Sequence, residues 1–84
     1  MKYQLLIVLL TNRLNEAIEV QKVLTEFGCY VKTRLGLHEA NENLCSDKGL
    51  MVLQLIGDEN EHKKMKQKLE AIKGVKVQYV VMED

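Results

Sequence analysis

Gln4-Leu5-Leu6-Ile7-Val8-Leu9-Leu10 is apolar at both parities of a strand. A segment with that pattern has no wet face, so it belongs in the middle of a sheet that is shielded on both sides. Gly49-Leu50-Met51-Val52-Leu53-Gln54-Leu55 repeats the pattern, with Gln54 as its polar exception. These two runs predict the central strands; the remaining chain has to supply the sheet edges and a covering layer.

Working outward, the first strand spans Tyr3 to Thr11, and Asn12 is placed as the N-cap of a helix. Leu14, Ala17, Ile18, Leu24 and Phe27 recur at helical spacing, widened by Val20 and Val23, and predict an amphipathic helix over 13–27 with Gly28 as its stop. From Cys29 to Gly36 the pattern alternates, Val31 and Leu35 against Lys32 and Arg34, as in an edge strand. Residues 37–48 have no period and read as a polar connection. Leu50 to Ile56 follows as a strand, closed by Gly57. Asp58 with Glu61 resembles a capping box. Met65, Leu69 and Ile72 then form a narrow helical stripe ending at Gly74, and Val75, Val77, Tyr79 and Val81 alternate as the last strand.

The order is strand, helix, strand, strand, helix, strand. Right-handed crossovers fold it into a single α+β domain over residues 1–84: a ferredoxin-like βαββαβ sandwich. Its four-stranded antiparallel sheet has spatial order 4-1-3-2, with both helices on one face. The two doubly apolar strands fall at the centre of that order.

Two helices cover one side only. Assigning Leu5, Ile7, Leu9, Val31, Leu35, Met51, Leu53, Leu55, Val75, Val77, Tyr79 and Val81 to the covered side leaves Leu6, Val8, Leu10, Leu50, Val52, Val80 and Met82 on the open face. An apolar patch of roughly several hundred Å² is at the limit a monomer tolerates. Covering it would contribute on the order of 10 kcal/mol gross per subunit. The chain is therefore expected to be a homodimer or higher homo-oligomer that joins through these seven residues.

The 84 residues carry 12 basic and 12 acidic side chains, with pI near 6.7, so no net field draws the chain to nucleic acid or to an anionic membrane. Lys63, Lys64, Lys66, Lys68 and Lys73 on the second helix are diluted by Glu59, Glu61 and Glu70 and have no interleaved aromatics for base stacking. The run Leu5–Leu10 is far shorter than the roughly 20 residues that span a bilayer and lacks an export-signal cleavage site. A cytoplasmic protein with reduced Cys29 and Cys45 is expected. His38, His62, Cys29 and Cys45 show no C-x-x-C, H-x-H or H-x-x-x-H spacing, so no metal is expected. No cysteine has a base or a helix N-terminus to activate it, which leaves catalysis and cofactors without candidates. The first strand-to-helix turn, Thr11-Asn12-Arg13, offers backbone N–H groups and a cation to a small anion. With Arg34 these residues are the predicted effector site.

Thr33-Arg34-Leu35-Gly36-Leu37, the Gly49–Leu55 run, and Leu69-Glu70-Ala71-Ile72-Lys73-Gly74-Val75-Lys76-Val77 together resemble the regulators of iron-only hydrogenase systems. The resemblance covers nearly the whole chain. It implies an ACT-like domain, similar to the C-terminal domain of nickel-responsive repressors without their DNA-binding domain. It further implies effector sensing or protein interaction in an oligomer, and no catalysis. The nickel ligands of those repressors, two histidines on the second strand and a cysteine early in the third, are not matched: Lys32, Arg34 and Gly36 stand on that strand. A protein-interaction or assembly domain without a small ligand is the alternative expectation.

Overall fold

The computed structural model describes the backbone of residues 1–40 and 45–84 and the side chains of residues 1–36 and 48–84. Strand β1 (Lys2–Leu10) leads into helix α1 (Arg13–Glu26), a short 3₁₀ turn (Gly28–Tyr30) and strand β2 (Val31–Ala40). Strand β3 (Cys45–Leu55), helix α2 (Glu59–Glu70) and strand β4 (Val75–Glu83) complete the chain. The sheet is antiparallel throughout with order β2-β3-β1-β4. This is the expected ferredoxin-like topology. The region predicted as a polar connection is largely strand, because β2 and β3 extend to pair Ala40 with Cys45; residues 41–44 lie outside the described backbone.

The phase of β1 differs from the expectation. Leu6 and Val8 are fully buried and Leu10 nearly so, all three in the core beneath the helices. Leu6, Val8 and Leu10 are therefore not open-face residues. Because β1 is apolar at both parities, its own sequence does not fix which side it turns to the helices; the partners do. Leu6 pairs with Leu53 and Tyr79, and Val8 with Met51 and Val77. The alternation of β4, with Val75, Val77 and Tyr79 against Lys76 and Gln78, decides the matter, since directly paired residues share a face. The open face carries Leu5, Ile7 and Leu9 in their place. Leu50 and Val52 of β3 and Val80 and Met82 of β4 are on that face as expected, by their register with Leu9, Ile7, Leu5 and Tyr3.

Strand β2 contributes a second inversion. Val31 pairs with Leu55 but Thr33 pairs with Gln54, so Lys32 is an extra residue, a β-bulge. Beyond it the parity of β2 is reversed. Leu35, expected in the core, pairs with Val52 and is 53% exposed on the open face, while Arg34 pairs with Leu53 on the helix side.

Helix α1 is rotated relative to the expected stripe. Val20, Leu24 and the following Phe27 are buried, whereas Leu14 and Ile18 are 73% and 69% exposed. The stripe that faces the sheet starts at Glu16, which is buried although acidic. Its carboxylate accepts the Asn12 N–H (3.0 Å) at the start of its own helix, whereas the Asn12 side chain, expected to cap the helix, makes no capping bond. At α2 the expected cap is present: Asp58 accepts the Asn60 N–H at 2.8 Å. Glu61 turns outward to Lys64 rather than back to the cap.

Gly74 joins the two ends of the covering layer. It has φ +87°, and its carbonyl accepts the Thr11 hydroxyl at 2.7 Å and the Thr11 N–H at 3.3 Å. A Cβ on Gly74 would run into the Glu16 carboxylate and lie 2.8 Å from Thr11 Oγ1. Gly74→Ala is expected to destabilise the fold by at least the roughly 1–3 kcal/mol of a strained backbone. Gly28→Ala, whose Cβ would meet nothing within 4 Å, serves as the near-neutral control. Urea denaturation of both variants measures the difference.

Candidate functional site

A cleft of about 260 Å³ opens where the first half of α1 crosses the β2–β3 hairpin beyond the end of β1. Leu10, Val20 and Met51 give it an apolar lining, Gly36 and Gly49 add no side chains, and Arg13, Gln21 and Arg34 are its polar groups. The geometry follows from local structure. Residues 13, 17, 20 and 21 share one side of an α-helix, so Arg13, Ala17, Val20 and Gln21 line the same wall. Arg34 reaches the opposite wall only because the bulge at Lys32 reverses the strand. Gly36, two residues on, shares its face.

The cleft is electropositive. Among the described residues none that lines it is acidic, and neither Arg13 nor Arg34 ion-pairs with a carboxylate. Arg34 is instead steadied by a neutral partner, with Nη2 donating to Gln21 Oε1 at 2.8 Å. A guanidinium has five N–H donors, so this bond leaves most of the fork for other acceptors.

The four residues expected at one effector site are divided by the structure. Arg13 and Arg34 meet in the cleft. Thr11 and Asn12 line a separate groove with Asn15, Glu16, Ile72, Lys73 and Gly74. There Glu16 takes the Asn12 N–H, and the single proton of the Thr11 hydroxyl lies between Gly74 O (2.7 Å) and Glu16 Oε2 (3.3 Å). Sequence reasoning missed Gln21 and Glu16. The signal for Gln21 was its spacing from Arg13 and Ala17. Glu16 had none, because an acidic residue inside an apolar stripe reads as a solvated interruption.

His62 is fully buried beneath the sheet end. Its Nε2 lies 2.6 Å from the Ile56 carbonyl, which can only accept, so the proton is on Nε2; Nδ1 then accepts from the Tyr79 hydroxyl at 3.1 Å. Tyr30 meets the imidazole edge-on. Both ring nitrogens are thus spent within the fold. Among the described residues no cluster of three His, Cys, Asp or Glu could hold a metal, and no helix is long and apolar enough to cross a membrane. The side chains of His38 and Cys45 lie outside the described residues. On α2, Lys64 and Lys66 pair with Glu61 and Glu70, and Lys68 bridges to Glu26 of α1 at 2.5 Å.

No protein-family model and no curated protein sequence matches the chain. Solved structures do. An uncharacterised protein from Thermotoga maritima superposes with a TM-score of 0.82 at 23% identity, covering 99% of this chain and 100% of its own. A formyltetrahydrofolate deformylase from Pseudomonas putida reaches 0.59 at 13% identity over 93% of this chain, which is 28% of that enzyme. A nitrogen regulatory PII-like protein from Thiomonas intermedia, bound to ADP, AMP and bicarbonate, reaches 0.56 at 15% identity, covering 100% of this chain and 96% of its own. At these identities the likeness establishes the fold. The same fold serves as a whole regulatory protein in one case and as a fraction of an enzyme in another, so activity has to be argued from the site.

Burial, aided by the charge of Glu59 and opposed by Lys2, raises the Tyr79 phenol above its ordinary 10.0. The folded chain therefore holds this proton more tightly than the unfolded chain. Its contribution is complete below pH 10 and is lost as pH rises through the folded value. Stability should fall as pH climbs past 10, and Tyr79→Phe should flatten that fall. Denaturation midpoints at stepped alkaline pH check it.

Proposed function

We propose that the chain is a non-enzymatic regulatory module that senses a small effector and acts as a homo-oligomer in the cytoplasm. The observation that carries the reading is the convergence of Arg13 and Arg34, two cations without a carboxylate partner among the described residues, on one apolar-lined cleft. The side chains at the cleft are those of recognition: charged forks and an amide that orient, over a floor that packs. The PII-like protein from Thiomonas intermedia supports the reading as a regulatory protein of nearly the same extent that holds small ligands. The resemblance to regulators of iron-only hydrogenase systems supports a role in controlling such a system.

Self-association rests on the open face. Leu5, Ile7 and Leu9 run along its centre, flanked by Val52, Leu50 and Val80, with Met82 and Leu35 farther out and Gln54, Gln78, Lys76 and Thr33 interspersed. This is an apolar centre with polar groups around it, the composition of a subunit interface. The same face favours a second reading, an assembly domain that joins copies of itself or a partner and takes no ligand.

Light scattering is expected to give at least twice the 9.7 kDa of one chain. Ile7→Lys and Val52→Lys should lower the mass to that of a folded monomer. Leu6→Lys, one residue away on the buried side, should unfold the chain instead. A wild-type mass of one chain would remove the oligomer. Thermal-shift screening against amino acids, organic acids, nucleotides and metals separates the two readings: a stabilising compound whose effect is lost in Arg13→Ala and Arg34→Ala favours the sensor, and no stabilisation by any class favours the assembly domain.

A further inference from the structure

We infer that the cleft recognises a small organic oxyanion, a carboxylate or phosphate monoester carried on a short apolar chain. This rests on the reading of the cleft as the effector site and goes further by assigning the ligand's chemistry. Charge comes first. Arg13 and Arg34 stand on opposite walls with no acidic side chain among the described residues of the lining, so a cation is repelled and a neutral ligand leaves both guanidiniums without an anion. Arg34 is held by Gln21 Oε1 at 2.8 Å through one Nη2 proton, which pre-orients the planar fork that takes an oxyanion by paired hydrogen bonds.

Size and lining narrow the class. At about 260 Å³ the cleft lies below the roughly 300–1,000 Å³ of sites for drug-sized ligands, too small to enclose a nucleotide. Leu10, Val20 and Met51 offer the rest of the ligand an apolar surface, so a bare inorganic ion would leave that surface uncovered.

Gly36 supplies a test that spares the fold. It lines the cleft in a strand, has no positive φ, and a Cβ on it would meet nothing within 4 Å. Gly36→Val therefore places its methyl groups in the cleft, and its β-branched side chain suits a strand.

The experiment titrates the ¹⁵N-labelled full chain with butyrate, n-butyl phosphate, inorganic phosphate and neutral butyramide. At least one of the two organic anions should shift the amides of Ala17, Val20, Gly36 and Gly49 in a saturable manner. Which of them binds more tightly identifies carboxylate or phosphate as the headgroup. Arg13→Ala and Arg34→Ala should each weaken that binding about tenfold or more. Gly36→Val should abolish it at an unchanged melting temperature. Binding of butyramide as tight as that of butyrate, or of inorganic phosphate as tight as that of butyl phosphate, would overturn the assignment. So would full affinity in Gly36→Val, or silence of these amides towards both organic anions. If a neutral or cationic compound from the thermal screen shifts these amides while the anions fail, the ligand class falls and the effector reading stands. If every compound that stabilises the protein leaves them unmoved, both fall.

Discussion

The register of β1 between β3 and β4 is the constraint on which the rest of the molecule depends. Val8 lies between Met51 and Val77, and Leu6 between Leu53 and Tyr79, so one parity of β1 closes the core under both helices. The other parity, Leu5, Ile7 and Leu9, is thereby committed to the open face. A slip by one residue would exchange the two sets without altering the hydrophobic count of either. Within the observed register β4 fixes which face each β1 residue shares, because its Lys76 and Gln78 cannot turn to the core without stranding a charge and an amide. A polar alternation on the outer strand thus orients a central strand that carries no orientation of its own.

The cleft depends on this frame and on one departure from it. With β1 in place, Leu10 and the Gly49–Met51 stretch form a floor beside α1. The bulge at Lys32 then turns Arg34 towards the helix, where Gln21 meets it, and turns Leu35 outward to extend the open face. One extra residue in an edge strand therefore contributes to both candidate surfaces. Leu50 touches both as well, lining the cleft while its register with Leu9 places it on the open face.

Strand and helix order, sheet order and the central position of the doubly apolar strands were all legible in the sequence, because each follows from periodicity and connection rules. Phase was not. Leu6, Val8 and Leu10 were indistinguishable from Leu5, Ile7 and Leu9 within the strand, and only pairing with β4 separates them. The reversal in β2 was hidden for a related reason: a bulge is a property of two strands and leaves no mark on one. In α1, Leu14 and Ile18 fitted the helical period as well as Val20 and Leu24 did. The buried Glu16 that selects between the two stripes is legible only once its bond to the Asn12 N–H is seen. Of the candidate site, Arg13 and Arg34 were visible as cations near a turn and a strand; their meeting in one cleft required the bulge.

Glu16 also bears on what the start of α1 can do. A carboxylate tethered four residues from the amide it accepts behaves as a ligand at high effective concentration, of millimolar order even for short flexible tethers and greater here because its side chain is packed. The fold has in this sense placed a built-in counter-ion at its own helix start. The start of α1 then serves as a fastening between the β1–α1 and α2–β4 turns, through Glu16, Thr11 and Gly74.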